Sequence, residues 1–167
     1  MKPPKSPKII GLIAMISAIV IDQATKAWVV ANADMLSSGL AVFPGFNLVF
    51  GRNDGVSFGL LGGVPWWSLV VLALVICAWM LGLMMRAEHR IEALAYGLVV
   101  GGALGNVVDR VRYGAVTDFL DLYVGSMHWP AFNLADALLV SGFVILLLAS
   151  HLRRYFAAAE QKKEQNT

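Results

Sequence analysis

Two aspartates stand where an apolar chain does not readily accept them. Asp118 lies in Val116-Thr117-Asp118-Phe119, and Asp136 closes Phe132-Asn133-Leu134-Ala135-Asp136 at the mouth of an apolar run. Carboxylates at the edge of hydrocarbon are costly, so they pair, line a wet cavity or carry function. Singly, each reads as a helix cap or half of an ion pair, and the helix dipole favours an acid where Asp136 stands. Jointly, two carboxylates forced together cannot both ionise easily. One keeps a proton while the other takes one from water, which is the chemistry of an aspartic hydrolase. Asn106 and Asn133 are candidates to orient such a pair, with Phe119 and Phe132 as apolar walls. Sequence separation leaves open whether the two acids meet.

Other polar groups allow two readings each. Asp22 and Lys26 stand four apart, acid first, a spacing that places them on one helix face as an anchoring ion pair. Asp109-Arg110 with Arg112 forms either a loop salt bridge or a guanidinium clamp on a carboxylate or a substrate carbonyl. Asn53-Asp54-Gly55 reads first as a turn, with Asn53 alternatively offering its amide to an extended peptide. The parts of two other kinds of hydrolytic site are missing: there is no His-Glu-x-x-His and no Walker loop. Cys77 is the sole cysteine and His89, His128 and His151 are scattered, so no metal-ligand pattern emerges.

The elements that must position these residues follow from hydropathy. Of 167 residues 58% are hydrophobic and 14% charged, with a mean hydropathy of +0.68. This balance excludes an ordinary soluble globule and predicts one membrane domain, residues 1–167. Segments of the ~20 apolar residues that a span requires fall at 9–28, 65–85, 91–108 and 134–152. The first resembles a signal peptide, but Asp22 and Lys26 interrupt the way to the Ala31-Asn32-Ala33 triplet, so it is read as a retained helix. Gly97, Gly101 and Gly105, with Gly102 beside them, form a seam that lets a neighbouring helix approach and ends at Asn106, Asp109 and Arg110.

Nine of the 13 basic residues fall in the N-terminal tail, the link between the second and third spans, and the tail 153–167. The positive-inside rule then puts both termini in the cytoplasm. All seven Asp fall at the opposite mouths, near Trp28, Trp66, Trp67 and Trp129, so the chemistry is expected on the outer face. The outer loops are 29–64 and 109–133. The first has a strand at Phe46–Phe50 after a Pro44-Gly45 turn; a small sheet there, with Phe58, Leu60 and Leu61, would rest on the bilayer. Residues 161–167 are expected to be disordered.

Five stretches in order carry a resemblance: Asp22-Gln23-x-x-Lys26; Asn53-Asp54-Gly55-Val56-Ser57-Phe58-Gly59; Gly101-Gly102-Ala103-Leu104-Gly105-Asn106-Val107-Val108-Asp109-Arg110; Val116-Thr117-Asp118-Phe119; and Trp129-Pro130-Ala131-Phe132-Asn133-Leu134-Ala135-Asp136. Over nearly its whole length the chain resembles the bacterial lipoprotein signal peptidases (signal peptidase II). Thr117, Leu134 and Ser57 are mild departures from the common residues. The resemblance implies an all-α integral membrane protein of four transmembrane helices with a small periplasmic β element. It implies an intramembrane aspartic endopeptidase of the bacterial inner membrane that cuts diacylglyceryl-modified prolipoproteins before the lipidated Cys. Asp118 and Asp136 correspond to its catalytic dyad; Asn53, Gly55, Asn106, Arg110 and Asn133 to supporting residues; and Asp22 to a polar partner near the site. It implies inhibition by globomycin-type cyclic peptides, no metal or organic cofactor and no nucleic-acid partner, and a monomer is the simpler assembly. A transporter or proton-relay subunit is the competing class, but the ionisable groups cluster at one rim and leave the midplane dry. An assembly protein with incidental acids does not account for the ordered motifs.

Overall fold

The computed structural model describes residues 6–55 and 65–164, with side chains to Tyr155. The expected surface contacts of Phe58, Leu60 and Leu61 lie outside the described residues. The described elements are α1 (Pro7–Ala31), α2 (Ala33–Leu36), β1 (Leu40–Phe43), β2 (Phe46–Asn53), α3 (Trp66–Arg86), α4 (Arg90–Tyr113), β3 (Val116–Val124), β4 (Met127–His128) and α5 (Leu134–Glu164). Four of the helices, α1, α3, α4 and α5, are long and apolar enough to cross a membrane. Pro7 opens α1, where its missing N–H costs nothing. Gly114, at φ +71°, closes α4 by donating its N–H to the Arg110 carbonyl at 2.9 Å.

Half of the apolar stretch of α4 is buried, against about a fifth or less in the other three. It is therefore the central helix, and glycine makes that possible. A Cβ on Gly101 would lie 2.6 Å from the Ala18 Cβ and 2.7 Å from the Met15 carbonyl of α1. Gly97 and Gly105 meet α1 in the same way at Gly11 and Asp22, whereas Gly102 lies against the Ala135 carbonyl of α5. Gly142 of α5 in turn lies against the Ala95 carbonyl. The seam thus has two sides, one for each neighbour. Large apolar side chains such as Ile16, Val20, Val75, Trp79, Leu147 and Leu148 point outward, as suits a surface solvated by lipid.

At one end of the bundle lies a four-stranded antiparallel sheet of order β1-β2-β3-β4. The expected strand at Phe46–Phe50 is present and extends to Asn53 as β2. β2 pairs with β3 so that Gly51 faces Asp118 and Asn53 faces Val116, with an irregularity between Leu48 and Gly51. Val29 of α1, Leu36 of α2 and Phe119 of β3 form a buried cluster under this sheet, flanked by Leu48, Phe50, Leu120 and Leu134. That cluster holds β3 against the start of α5.

Three expectations need correction. Residues 109–133 are not a plain loop: α4 continues through Asp109, Arg110 and Arg112 to Tyr113, and β3 and β4 follow. Val116 to Phe119 are all buried. A strand covered on both faces has no alternating pattern to reveal it. The tail is likewise helical to Glu164, because Ala157-Ala158-Ala159 and the Glu, Gln and Lys after them are strong helix formers. Finally, Phe119 belongs to the cluster beneath the sheet and does not wall the acidic site.

Gly101→Leu is expected to force α1 off α4 and cost about 1–3 kcal/mol or more, the range for overpacking. A Cβ on Gly82 in α3 meets nothing within 4 Å, so Gly82→Ala should be neutral or slightly stabilising. Melting of the two variants in detergent checks the contrast; equal melting would remove the seam from the account of stability.

Candidate active site

Asp118 sits on β3, 5% exposed. Its Oδ1 accepts a hydrogen bond from Asn133 Nδ2 at 2.7 Å and its Oδ2 one from Asn53 Nδ2 at 2.9 Å. Burial pushes the Asp118 carboxyl above its ordinary pKa; the two amide bonds pull it back in part, and the neighbouring Asp136 charge pushes it further up.

Asp136 lies in the first turn of α5. Its Oδ1 accepts from Asn106 Nδ2 at 2.8 Å, and its Oδ2 from the Asn133 backbone N–H at 3.1 Å. The Asp136 N–H returns a bond to Asn133 Oδ1 at 3.1 Å. This reciprocal pair is a capping box in which Asn and Asp take the places of Ser and Glu. It also fixes the Asn133 amide: since Oδ1 must face the Asp136 N–H, Nδ2 must face Asp118. One fully buried residue therefore holds both acids.

Asn53, Gly55, Asn106, Arg110, Val116, Asp118 and Asp136 line a single cavity of about 160 Å3. Asn133 stands behind it. The sequence-predicted residues thus converge, with Asp22 set back from the cavity. Asp22 Oδ1 accepts the Ala135 N–H at 3.0 Å, satisfying a free donor at the start of α5. Its Oδ2 takes Lys26 Nζ at 3.0 Å and Gln23 Nε2 at 3.1 Å.

Of the two readings of Asp109-Arg110, the salt bridge is not found among the described residues. Asp109 turns to β3, where its Oδ2 accepts the Thr117 N–H at 2.8 Å. Arg110 turns to the cavity, donating from Nη2 to the Gly55 carbonyl at 2.9 Å. Its buried Nε has no hydrogen-bond partner among the described residues. Asn53 does form a turn, its Oδ1 taking the Gly55 N–H at 3.1 Å, while its Nδ2 serves Asp118. The turn reading of that motif therefore holds, and the amide is committed to a carboxylate of the site where the alternative had it serve an extended peptide.

A larger groove of about 540 Å3 shares Asp136 with the cavity and is otherwise lined by Leu122, Trp129, Pro130, Phe132, Ala137, Val140 and Ser141. Phe132 therefore walls the groove. Sequence reasoning missed a second polar cluster on the sheet. Asp121 accepts from Asn47 Nδ2 at 2.9 Å and from His128 Nδ1 at 2.8 Å, tying β2, β3 and β4 together. Burial works against the Asp121 charge, yet the bonds from His128 and Asn47 hold its pKa below the usual carboxylate range. The seven-residue gap from Asp121 to His128 was the available signal, and it required a hairpin to become meaningful.

The sequence profile of signal peptidase (SPase) II, peptidase family A8, matches residues 14–152. The lipoprotein signal peptidase of Methylorubrum extorquens (strain PA1) is 44% identical over 146 residues, covering 84% of each chain. That of Serratia proteamaculans (strain 568) is 37% identical over 155 residues, covering 90% of this chain and 91% of the relative. Two solved structures described as bacterial membrane enzymes, at 2.3 and 1.9 Å, superpose with TM-scores of 0.74 and 0.72 at 27% identity. They cover 83% of this chain and 85% and 90% of their own. A profile match over most of the chain, relatives at this identity and a shared membrane fold agree: the chain belongs to the signal peptidase II family of aspartic proteases.

Proposed function

We propose that the chain removes signal peptides from diacylglyceryl-modified prolipoproteins by cutting before the lipidated Cys, with Asp118 and Asp136 as the catalytic dyad. The observation that carries the reading is Asn133 holding both carboxyl groups at one small polar cavity. Placement in the bacterial inner membrane with both termini cytoplasmic and the sheet on the periplasmic face follows from the charge distribution of the sequence.

The dyad shares one proton. Burial favours keeping it on Asp118, leaving Asp136 as the base, in the first turn of α5, where the helix N-terminus favours negative charge. A water between them gives a proton to Asp136 as its oxygen attacks the scissile carbonyl carbon, and Asp118 protonates the carbonyl oxygen. Collapse of the tetrahedral diol passes a proton to the amide nitrogen and breaks the C–N bond. No covalent enzyme intermediate is involved. Asn53, Asn106 and Asn133 hold the carboxyl groups, and Asp22 holds the start of α5. The Arg110 Nε–H, unpartnered among the described residues, would donate to a peptide carbonyl beside Gly55. The apolar groove beside Asp136 is lined along α5 by Ala137, Val140 and Ser141, which suits a substrate entering sideways from the bilayer. A cyclic peptide of the globomycin type would compete for the same cavity.

Asp118→Asn and Asp136→Asn should each reduce cleavage of a lipid-modified prolipoprotein by at least about 10²–10⁴-fold, the usual worth of general acid–base catalysis, while still inserting and melting normally. Asp34→Asn, at an exposed position of α2, should leave turnover unchanged. Appreciable turnover by either folded dyad variant would refute the assignment, and unmodified prolipoprotein should resist the wild type.

The pH–rate profile should be bell-shaped, with limbs belonging to the pair. The Asn53 amide lowers the Asp118 pKa, so Asn53→Ala should raise it and move the alkaline limb to higher pH. Measuring kcat against pH for both proteins tests the sign; a limb that moves to lower pH contradicts it.

A further inference from the structure

We infer that Lys26 is a positioning residue for the dyad, acting through the Asn106 amide; the inference rests on the dyad reading above. Lys26 is 2% exposed and does not line the cavity. Its Nζ lies 2.8 Å from Asn106 Oδ1 and 3.0 Å from Asp22 Oδ2, with Asp109 Oδ2 more distant at 3.9 Å.

An ammonium is donor-only. The Asn106 atom that it touches must be the oxygen, so the NH2 group must face the other way, onto Asp136 Oδ1 at 2.8 Å. An amide with no such constraint can turn over and aim its own oxygen at the carboxylate, which replaces attraction by repulsion. The two asparagines that hold Asp136 therefore differ in how they are set. Asn133 is oriented within α5 by the Asp136 N–H, whereas Asn106 on α4 depends on a cation delivered from α1.

The surroundings fit that task. Gln23 Nε2 lies 3.1 Å from Asp22 Oδ2 and 3.2 Å from Asp109 Oδ1, and Arg112 donates to Gln23 Oε1 at 3.2 Å, which fixes that amide as well. Gly105, lacking a Cβ, leaves room for the Asp22 carboxylate against α4. Asp22 also takes the Ala135 N–H, so the group that balances the Lys26 charge is tied to the helix end that bears Asp136. An anchor alone would require only the Asp22–Lys26 pair; the contact to Asn106 is the additional element that links it to the chemistry.

The test is a double-mutant cycle on the full chain, purified in detergent and assayed with lipid-modified prolipoprotein. Lys26→Met and Asn106→Ala should each lower kcat by about tenfold or more with KM little changed. Combining them should cost no more than the worse single change, because residues acting as a unit are non-additive. Losses that multiply, or a Lys26→Met enzyme with normal kcat, overturn the inference. Should Lys26→Met leave too little folded protein, Asp22→Asn/Lys26→Met removes both charges of the pair, and the cycle with Asn106→Ala is read on that background with the same criteria. Asp118→Asn, assayed alongside, separates the two ideas: turnover there refutes the dyad, whereas multiplying losses with an inactive Asp118→Asn refute only the role of Lys26.

Discussion

The arrangement of this site depends on one buried amide. Asn133 gives its backbone N–H to Asp136, its side-chain NH2 to Asp118 and its side-chain oxygen to the Asp136 N–H. A buried polar group is costly when it lacks partners and tolerable when all its capacity is used. Here the capacity is used on two acids that would otherwise repel each other. As a helix cap the residue contributes about 1 kcal/mol. Its larger effect is geometric, because the cap that starts α5 is also the clamp that fixes where the strand-borne acid meets the helix-borne one.

Such a clamp works only if three helix ends and one strand arrive together, and α4 sets their approach. Gly97, Gly101 and Gly105 bring α1 close on one side, and Gly102 brings α5 close on the other. Asn106 follows Gly102 by one turn and Asp109 follows Gly105 by one turn. The small-residue positions therefore give way, at the site end of the helix, to polar residues: Asp109 receives Gln23 of α1 on the side where Gly105 meets α1, and also reaches β3. Asn106 meets Asp136 of α5 and Lys26 of α1, and Asp109 meets the Thr117 N–H beside Asp118. Packing and polar contacts are one continuous interface, with close backbone approach in the apolar part and hydrogen bonds at its rim.

Much of this is legible in the sequence. Hydropathy locates the four long helices, alternation locates β2, and the ordered motifs name the residues that line the cavity. What escapes has physical causes. β3 carries two aspartates and is buried on both sides at its start, so neither periodicity nor composition marks it as a strand. The end of α4 is polar because it meets other polar groups, which looks in sequence like a loop. Lys26 four residues after Asp22 fits a helix-surface ion pair, and only the fold reveals that the same ammonium reaches Asn106 across the helix interface. Local spacing records the intrahelical partner and is silent on the interhelical one.

The two cavities that share Asp136 differ in kind. The polar one, about 160 Å3, has room for only a few waters at ~30 Å3 each; the groove of about 540 Å3 is walled largely by apolar side chains. On the proposed reading, a substrate would place its greasy portion in the groove and bring only the peptide bond to the polar cavity, away from bulk water. Fixed donors acting there on developing charge are worth more than in solvent. The same burial raises the Asp118 pKa and so works against stability wherever that group must ionise. For a carboxyl whose folded pKa is raised, this cost is absent below the unfolded pKa and grows as pH rises toward the folded one. The counterpart of that cost is a carboxyl that holds its proton more firmly than an exposed one would.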